Sequence, residues 1–128
     1  MRDKNRIKPL MKKLKQCWEF TPELIIYELL YNLYHDIPDK WALYYQEDDF
    51  WMKNMEDYKL AHIADNIGVE LNQTQKEILN LIESIWEQEY DLRFPQMSNL
   101  ILFTIEENMD DSYALVKIQE RLVEKNGE

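Results

Sequence analysis

The chain has 128 residues, of which 45% are hydrophobic, and this suffices for one compact domain or two small halves that share a core. The net charge is −10, and a single cysteine excludes an internal disulfide, as expected in a reducing cytoplasm. A charged N-terminus without a long apolar segment argues against a signal peptide and a transmembrane helix, so we expect a cytoplasmic protein that does not bind membranes.

The first predicted helix, residues 6–20, carries a basic segment. Its apolar residues recur every three or four positions, as in an amphipathic helix, and end with Cys17 and Trp18. Residues 1–15 have a net charge of +6, whereas the rest of the chain has −16. The basic segment can be interpreted as a nucleic-acid arm, but we expect it instead to be the solvated face of this helix or to dock on the acidic body. Cys17 is expected to be a small buried hydrophobic residue rather than a nucleophile.

The remaining helices are predicted from caps and apolar spacing. Thr21 and Pro22 indicate the start of a second helix, because Thr caps free N–H groups and Pro fits the first turn. The five further spans are 22–34, 49–66, 74–89, 95–107 and 112–125. No segment alternates with the period of two that is typical of strands, so we expect essentially no sheet.

An internal repeat relates the two parts of the chain. At an offset of 68 residues the identical pairs are Trp18 with Trp86, Glu19 with Glu87, Leu24 with Leu92, and Lys8 with Lys76. At an offset of 62, Asp48-Asp49 aligns with Asp110-Asp111, each ahead of an amphipathic segment. Such self-similarity is typical of a duplicated helical unit. We predict an all-α fold of about six helices, in which two similar three-helix halves, 1–68 and 69–128, share one core.

Residue patterns that support catalysis are missing from the sequence. Two glycines cannot build a phosphate-binding loop, and His35 and His62 are not at a metal-ligand spacing. We therefore expect no enzyme activity, no cofactor and no metal site.

The acidic cluster Glu47-Asp48-Asp49 has three open interpretations. Carboxylates at a helix start can cap free N–H groups, and oxygen ligands can bind a divalent cation, although the spacing of a calcium loop is absent. Alternatively, the cluster and its neighbouring aromatic residues form a recognition surface, unless those aromatics fill the core. The predicted partner-binding residues are Tyr44, Tyr45, Glu47, Asp48, Asp49, Trp51, Asp110 and Asp111.

Several motifs resemble those of a family of small bacterial and phage-borne helical proteins, the YihD-like family. Residues 1–7 match its Arg-Asp-x-x-Arg-Ile opening, and 47–49 match its Glu-Asp-Asp motif. The central Asp-Leu-Arg motif is degraded at 23–29 and better kept at 91–97, whereas the opening motif is absent from the second half. The resemblance implies a helical fold and a bacterial or phage source, and it implies no particular activity.

The acidic balance indicates a class of partner. An acidic body repels phosphate backbones, so nucleic acid is not expected, and it attracts a basic protein; acidity that serves solubility alone is the alternative. The sequence favours a non-enzymatic protein-binding module, namely a bacterial immunity or antitoxin protein that blocks a basic, nuclease-type toxin. The alternative is a phage or bacterial adaptor or regulatory protein.

Overall fold

The chain folds into a bundle of helices. A computed structural model describes residues 2–35, 46–63 and 67–126, and within these ranges it contains helices and no strand. A short 3-10 turn at Lys4–Arg6 precedes six α-helices: α1 (Ile7–Phe20), α2 (Ile26–His35), α3 (Asp48–Ile63), α4 (Gln73–Gln88), α5 (Phe94–Thr104) and α6 (Asp111–Asn126). The prediction of an all-α fold is confirmed. None of the described helices combines the length and the apolar character needed to cross a bilayer.

Strongly amphipathic patterns in the sequence form α1 and α4. One face of α1 is buried from Ile7 to Trp18, and one face of α4 is buried from Ile78 to Trp86. A reciprocal cap starts α4, because the Asn72 side chain accepts the Gln75 N–H at 2.8 Å and the Gln75 side chain accepts the Asn72 N–H at 2.9 Å. Local sequence therefore determines both the position and the inner face of these helices.

The helices pack in a repeated arrangement. Helix α1 packs along α3, α4 packs along α6, and α1 and α4 pack on each other. The core is continuous across these contacts, since the ring of Trp51 on α3 lies 5.1 Å from that of Phe94 on α5, measured between centroids. The ring of Phe94 lies in turn 6.0 Å from that of Trp86. The division of the chain into two equivalent halves stays a prediction.

The second helix begins four residues later than predicted. Residues 21–25 form a turn, because the Trp18 indole donates to the Leu24 carbonyl at 2.9 Å and draws that segment onto the end of α1. Thr21, predicted as an N-terminal cap of α2, instead donates its hydroxyl to the Cys17 carbonyl at 2.9 Å. Thr21 therefore closes α1, and the Glu28 side chain accepts the Ile25 N–H at the start of α2.

The turn between α1 and α2 has the same local geometry as the turn between α4 and α5. Trp86 donates its indole N–H to the Leu92 carbonyl at 2.9 Å, which repeats the Trp18–Leu24 bond at an offset of 68 residues. Both tryptophans are fully buried. The same offset relates the ends of α1 and α4 and the starts of α2 and α5.

Helices α3 and α6 are related by a different offset from the one predicted. Helices α3 and α6 begin at Asp48 and Asp111, so the structural offset is 63 residues rather than 62. Burial supports this register, because Trp51 and Met55 on α3 correspond to the buried Ala114 and Ile118 on α6. Two consecutive aspartates in each unit made the sequence alignment ambiguous by one residue.

Candidate functional site

The basic N-terminal segment docks on the first acidic cluster. The Arg2 guanidinium pairs with Glu47 at 2.7 Å, and the Arg2 backbone N–H donates to the Asp91 carboxylate at 2.8 Å. Arg6 pairs with Asp48 at 2.9 Å. Of the two alternatives for this segment, docking on the acidic body is therefore the one that the structure shows for its arginines.

Arg6 is the best-anchored member of this contact. Its guanidinium donates to the Tyr90 carbonyl at 2.8 Å and to the Leu92 carbonyl, and it lies 5.3 Å from the ring centroid of Trp86. The side chain is only 12% exposed. Arg6 thus connects the start of α1, the start of α3 and the turn between α4 and α5.

Hydrogen bonds from arginines lower the pKa of two carboxyl groups at this contact, those of Glu47 and Asp91. Arg2, and then Arg93 at 3.0 Å, donate to Glu47 and lower the pKa of its carboxyl group. The Arg2 backbone N–H lowers the pKa of the Asp91 carboxyl group in the same way. These carboxylates already have cationic partners, so a basic protein would have to displace arginines to reach Glu47 or Asp48.

Four further residues were predicted to bind a partner at the first acidic cluster: Trp51, Asp49, Tyr44 and Tyr45. Trp51 is fully buried, so its prediction as an exposed anchor is wrong, and the alternative that it fills the core holds. The physical reason is that Trp51 lies on the side of α3 that faces α5 and packs against Phe94. Asp49 is exposed on α3. Tyr44 and Tyr45 lie outside the described residues.

The two aspartates of the second predicted cluster have separate roles. Asp111 accepts the Ile26 N–H at 2.9 Å and so caps α2 from another part of the chain. Burial raises the pKa of the Asp111 carboxyl group, although the Ile26 N–H opposes that shift. Asp110 is exposed; its carbonyl accepts the first N–H groups of α6, and its carboxylate accepts the Ser112 hydroxyl at 2.9 Å. Asp111 is therefore structural, whereas Asp110 faces solvent.

Asp110 belongs to an exposed acidic turn between α5 and α6. Glu106 and Glu107 are exposed, and the Met109 N–H donates to the Glu106 carbonyl at 3.1 Å to close the turn. Asn108 has a φ of 64°, in the left-handed region that Asn tolerates better than most residues. No lysine or arginine in the described ranges forms an ion pair with Glu106, Glu107 or Asp110.

Two aromatic residues flank the acidic turn. Phe103, on the last turn of α5, is 89% exposed, and Tyr113, on the first turn of α6, is 70% exposed. We call Phe103, Glu106, Glu107, Asp110 and Tyr113 the acidic loop surface. Neither aromatic is among the residues predicted from the sequence to bind a partner. One sequence feature could have identified Tyr113 as exposed. The four-residue spacing of Ala114 and Ile118 marks the inner face of α6, and Tyr113 lies outside that face.

The two side chains considered for nucleophilic or acid–base chemistry, Cys17 and His62, each contact a backbone carbonyl. The Cys17 thiol is buried and donates to the Met55 carbonyl at 3.2 Å, and burial raises its pKa to about 12. A thiol with this pKa stays protonated at neutral pH and is a poor nucleophile. The ring Nδ1 of His62 lies 2.7 Å from the Tyr58 carbonyl. Within the described ranges no three His, Cys, Asp or Glu side chains are placed to hold a metal ion.

No protein-family model, curated protein or solved structure matches the chain. The resemblance to the YihD-like family therefore stays a prediction from sequence motifs. What the molecule can bind has to be inferred from its own surfaces.

Proposed function

We propose that this chain is a non-enzymatic module that binds a basic protein. One observation carries the proposal: the acidic loop surface holds three carboxylates without a cationic partner in the described chain, between two highly exposed aromatic rings. Exposed aromatics are favoured anchors in protein interfaces, and a one-signed cluster of charge steers a partner of opposite sign. The net charge of −10 acts in the same direction over a longer range.

The second acidic cluster supports this function better than the first. At the start of α3 the carboxylates of Glu47 and Asp48 are paired with Arg2, Arg93 and Arg6. Binding there would break existing ion pairs, whereas binding at the acidic loop surface would form new ones. We therefore place the partner at the loop between α5 and α6.

Within this class we propose a bacterial immunity or antitoxin protein that blocks a basic, nuclease-type toxin. Such a role needs a complementary surface and no chemistry of its own, which agrees with a buried thiol and an acidic loop. A phage or bacterial adaptor would use the same surface but would bind its partner without inhibiting it.

The test uses the protein encoded by the gene adjacent to the one for this chain. We expect it to be basic, to bind this chain, and to lose its toxic activity at stoichiometric ratios. The double variant Glu106→Lys/Glu107→Lys should slow association by about tenfold and flatten its salt dependence, because exposed charges act mainly on the on-rate. Binding without inhibition would support the adaptor.

The matched control carries the same change in charge on α3 and α4. Asp57 and Glu77 are both exposed; Asp57 pairs with Lys53 on its own helix at 3.0 Å, and Glu77 accepts a hydrogen bond from Gln73 at 3.2 Å. Asp57→Lys/Glu77→Lys should leave the association rate within about twofold of the wild type, since only long-range charge changes. Equal effects of the two double variants would contradict a site at the acidic loop surface.

A further inference from the structure

Three acidic residues that contact arginines near the start of α3 have acidic counterparts near the start of α6. At the offsets of 63 and 68 residues, the corresponding pairs are Glu47 with Asp110, Asp48 with Asp111, and Asp91 with Glu23. The arginines are not repeated, and their counterparts are Glu70 for Arg2, Thr74 for Arg6, and Ile25 for Arg93. The chain therefore repeats the acidic half of this contact without the basic half.

The repeated carboxylates are not compensated by cations of the described chain. Glu23, Asp110 and Asp111 form no ion pair with a lysine or arginine of the ranges that the structure describes. Glu23 and Asp110 are exposed, and Asp111 is half-buried. Burial raises the pKa of the Asp111 carboxyl group, and the carboxylates of Asp110 and Glu28 add to that rise. A cation supplied from outside would therefore relieve an existing repulsion.

Helix capping alone does not account for these carboxylates. Asp111 caps α2 through the Ile26 N–H at 2.9 Å, and a helix N-terminus favours negative charge. The start of α3 offers Asp48 the same advantage, and Arg6 nevertheless pairs with it at 2.9 Å. In this fold, a carboxylate at a helix start therefore still binds a guanidinium when one is within reach.

Arginines occupy an inner and an outer place at the first cluster, and the inner one has a substitute in the second. The inner place is that of Arg6, which is only 12% exposed and donates to the Tyr90 carbonyl at 2.8 Å. The carbonyl at the corresponding position, that of Pro22, already accepts the side-chain amide of the buried Gln75 at 3.1 Å. A partner can therefore reproduce the outer place only.

The outer place is that of Arg2, which bridges two segments of the chain. Its guanidinium donates to the Glu47 carboxylate at 2.7 Å and to the Asp91 carbonyl at 3.1 Å. We infer that an arginine of the basic partner bridges Asp110 and Glu23 in the way that Arg2 bridges their counterparts; this rests on the proposed function. The contact extends the acidic loop surface to the turn between α1 and α2.

A guanidinium suits this arrangement better than a metal ion or an ammonium group. In the described part of the chain, no three acidic side chains are placed to share a metal ion. An ammonium group is a compact point charge, whereas a guanidinium carries five N–H donors in a planar fork and can bridge separated acceptors. Arg2 does so, because one of its side-chain nitrogens donates to a carboxylate and another to a backbone carbonyl. We therefore expect the partner residue to be arginine rather than lysine.

The experiment titrates the full chain at low ionic strength with a glycine-spaced peptide of two arginines, and with the same peptide carrying lysines. The wild type should bind the arginine peptide about fivefold more tightly, and the Ile26 amide resonance should shift. Glu23→Gln/Asp110→Asn should weaken binding of the arginine peptide by about tenfold and remove the preference for arginine. The control Asp57→Asn/Glu77→Gln removes the same charge from exposed positions on α3 and α4, and it should leave both affinities within about twofold of the wild type.

Three results would overturn the inference. These are equal binding of the two peptides by the wild type, unchanged binding of the arginine peptide by Glu23→Gln/Asp110→Asn, and an equal loss in the control. The cognate basic protein separates this failure from that of the proposed function. If Glu106→Lys/Glu107→Lys weakens its binding and Glu23→Gln/Asp110→Asn does not, the proposed function stands and the arginine site is wrong. If no basic protein binds, the proposed function fails, while the peptide titrations still decide the arginine site.

Discussion

The starts of α3 and α6 are equivalent positions with different surroundings. Asp48 begins α3, which packs along α1, and Asp111 begins α6, which packs along α4. Asp48 is paired with Arg6, whereas Asp111 accepts a backbone N–H from Ile26 and lies beside an exposed acidic turn. A repeated acidic motif therefore has no fixed role, because its role depends on which cationic residues of other segments lie beside it.

One position differs in charge between the starts of the two helices. Arg6 corresponds, at the offset of 68 residues, to Thr74 at the start of α4. Threonine is uncharged, so it supplies no cation equivalent to Arg6. The two ends of the molecule therefore differ in charge pairing but share the indole–carbonyl bonds of Trp18 and Trp86.

The largest expected effect concerns the two buried tryptophans. Trp18→Ala and Trp86→Ala should each lower the free energy of unfolding by about 3–5 kcal/mol, because each leaves a cavity and frees a carbonyl. Urea unfolding followed by circular dichroism measures both. A cost below about 1 kcal/mol for one of them would contradict their equivalent roles.

The phenylalanine variants sharpen this comparison. Trp86→Phe should cost less than Trp18→Phe, because the Leu92 carbonyl keeps the Arg6 guanidinium as a donor. The Leu24 carbonyl loses the indole donor that Trp18 supplies. The expected difference is about 1 kcal/mol, the net value of one hydrogen bond.

The next effect concerns Arg6 and its counterpart Thr74. Arg6→Ala should destabilise the protein by about 3 kcal/mol, because it leaves a half-buried Asp48 unpaired and removes donors from two carbonyls. Thr74→Ala should change stability by no more than about 0.5 kcal/mol. Thermal unfolding of both variants gives the comparison. Arg6→Lys should recover only part of the loss, because an ammonium group cannot hold several acceptors in the fork of a guanidinium.

Smaller effects, opposite in sign to each other, are expected when Asp111 and Asp48 are replaced by asparagine. Asp111→Asn should be neutral or stabilising by up to about 1 kcal/mol at pH 7, because it removes a half-buried charge and keeps an oxygen for the Ile26 N–H. Asp48→Asn should destabilise, because it removes the charge that pairs with Arg6. Asp111→Ala is the control and should cost about 1 kcal/mol, since it removes the cap.

The pH dependence follows from the directions of the pKa shifts. Because the fold raises the pKa of Asp111, its ionised form costs stability above that pKa, and the cost is relieved as the pH falls through it. The advantage of Asp111→Asn should therefore disappear in acid. The pKa of Glu47 is lowered, so its contribution is present above the ordinary carboxyl range and is lost as the pH falls through the folded value. Melting temperatures from pH 7 to pH 3 would show both trends.

The smallest expected effect concerns the acidic turn itself. Asn108 has a left-handed backbone, which glycine adopts freely and alanine does not. Asn108→Ala should cost about 1 kcal/mol, and Asn108→Gly should be close to neutral. Equal stability of the two variants in urea would show that the turn relaxes, and a preorganised acidic loop surface would then be ruled out.

The sequence alone determined the features that depend on local periodicity. The spacing of apolar residues located α1 and α4 to within about two residues, because the buried residues of an amphipathic helix recur every three or four positions. The offset of 68 residues likewise predicted that Trp18 and Trp86 occupy equivalent positions. The turn-poor composition indicated an all-α protein, whereas the basic partner that the acidity predicts stays a proposal.

The tertiary structure decided the features that depend on residues distant in sequence. Helix α2 starts at Ile26 because an indole and the Asp111 carboxylate hold the preceding turn and the first N–H. Apolar residues on α3 lie on several sides of the helix, so only the packing of α3 on α1 and the contact with Phe94 show that Trp51 is interior. Likewise, only the tertiary structure brings arginines to Glu47 and Asp48 and leaves Glu106, Glu107 and Asp110 without a cationic partner in the described ranges. Charge pairing and burial are set by distances between segments, and no local pattern of residues contains those distances.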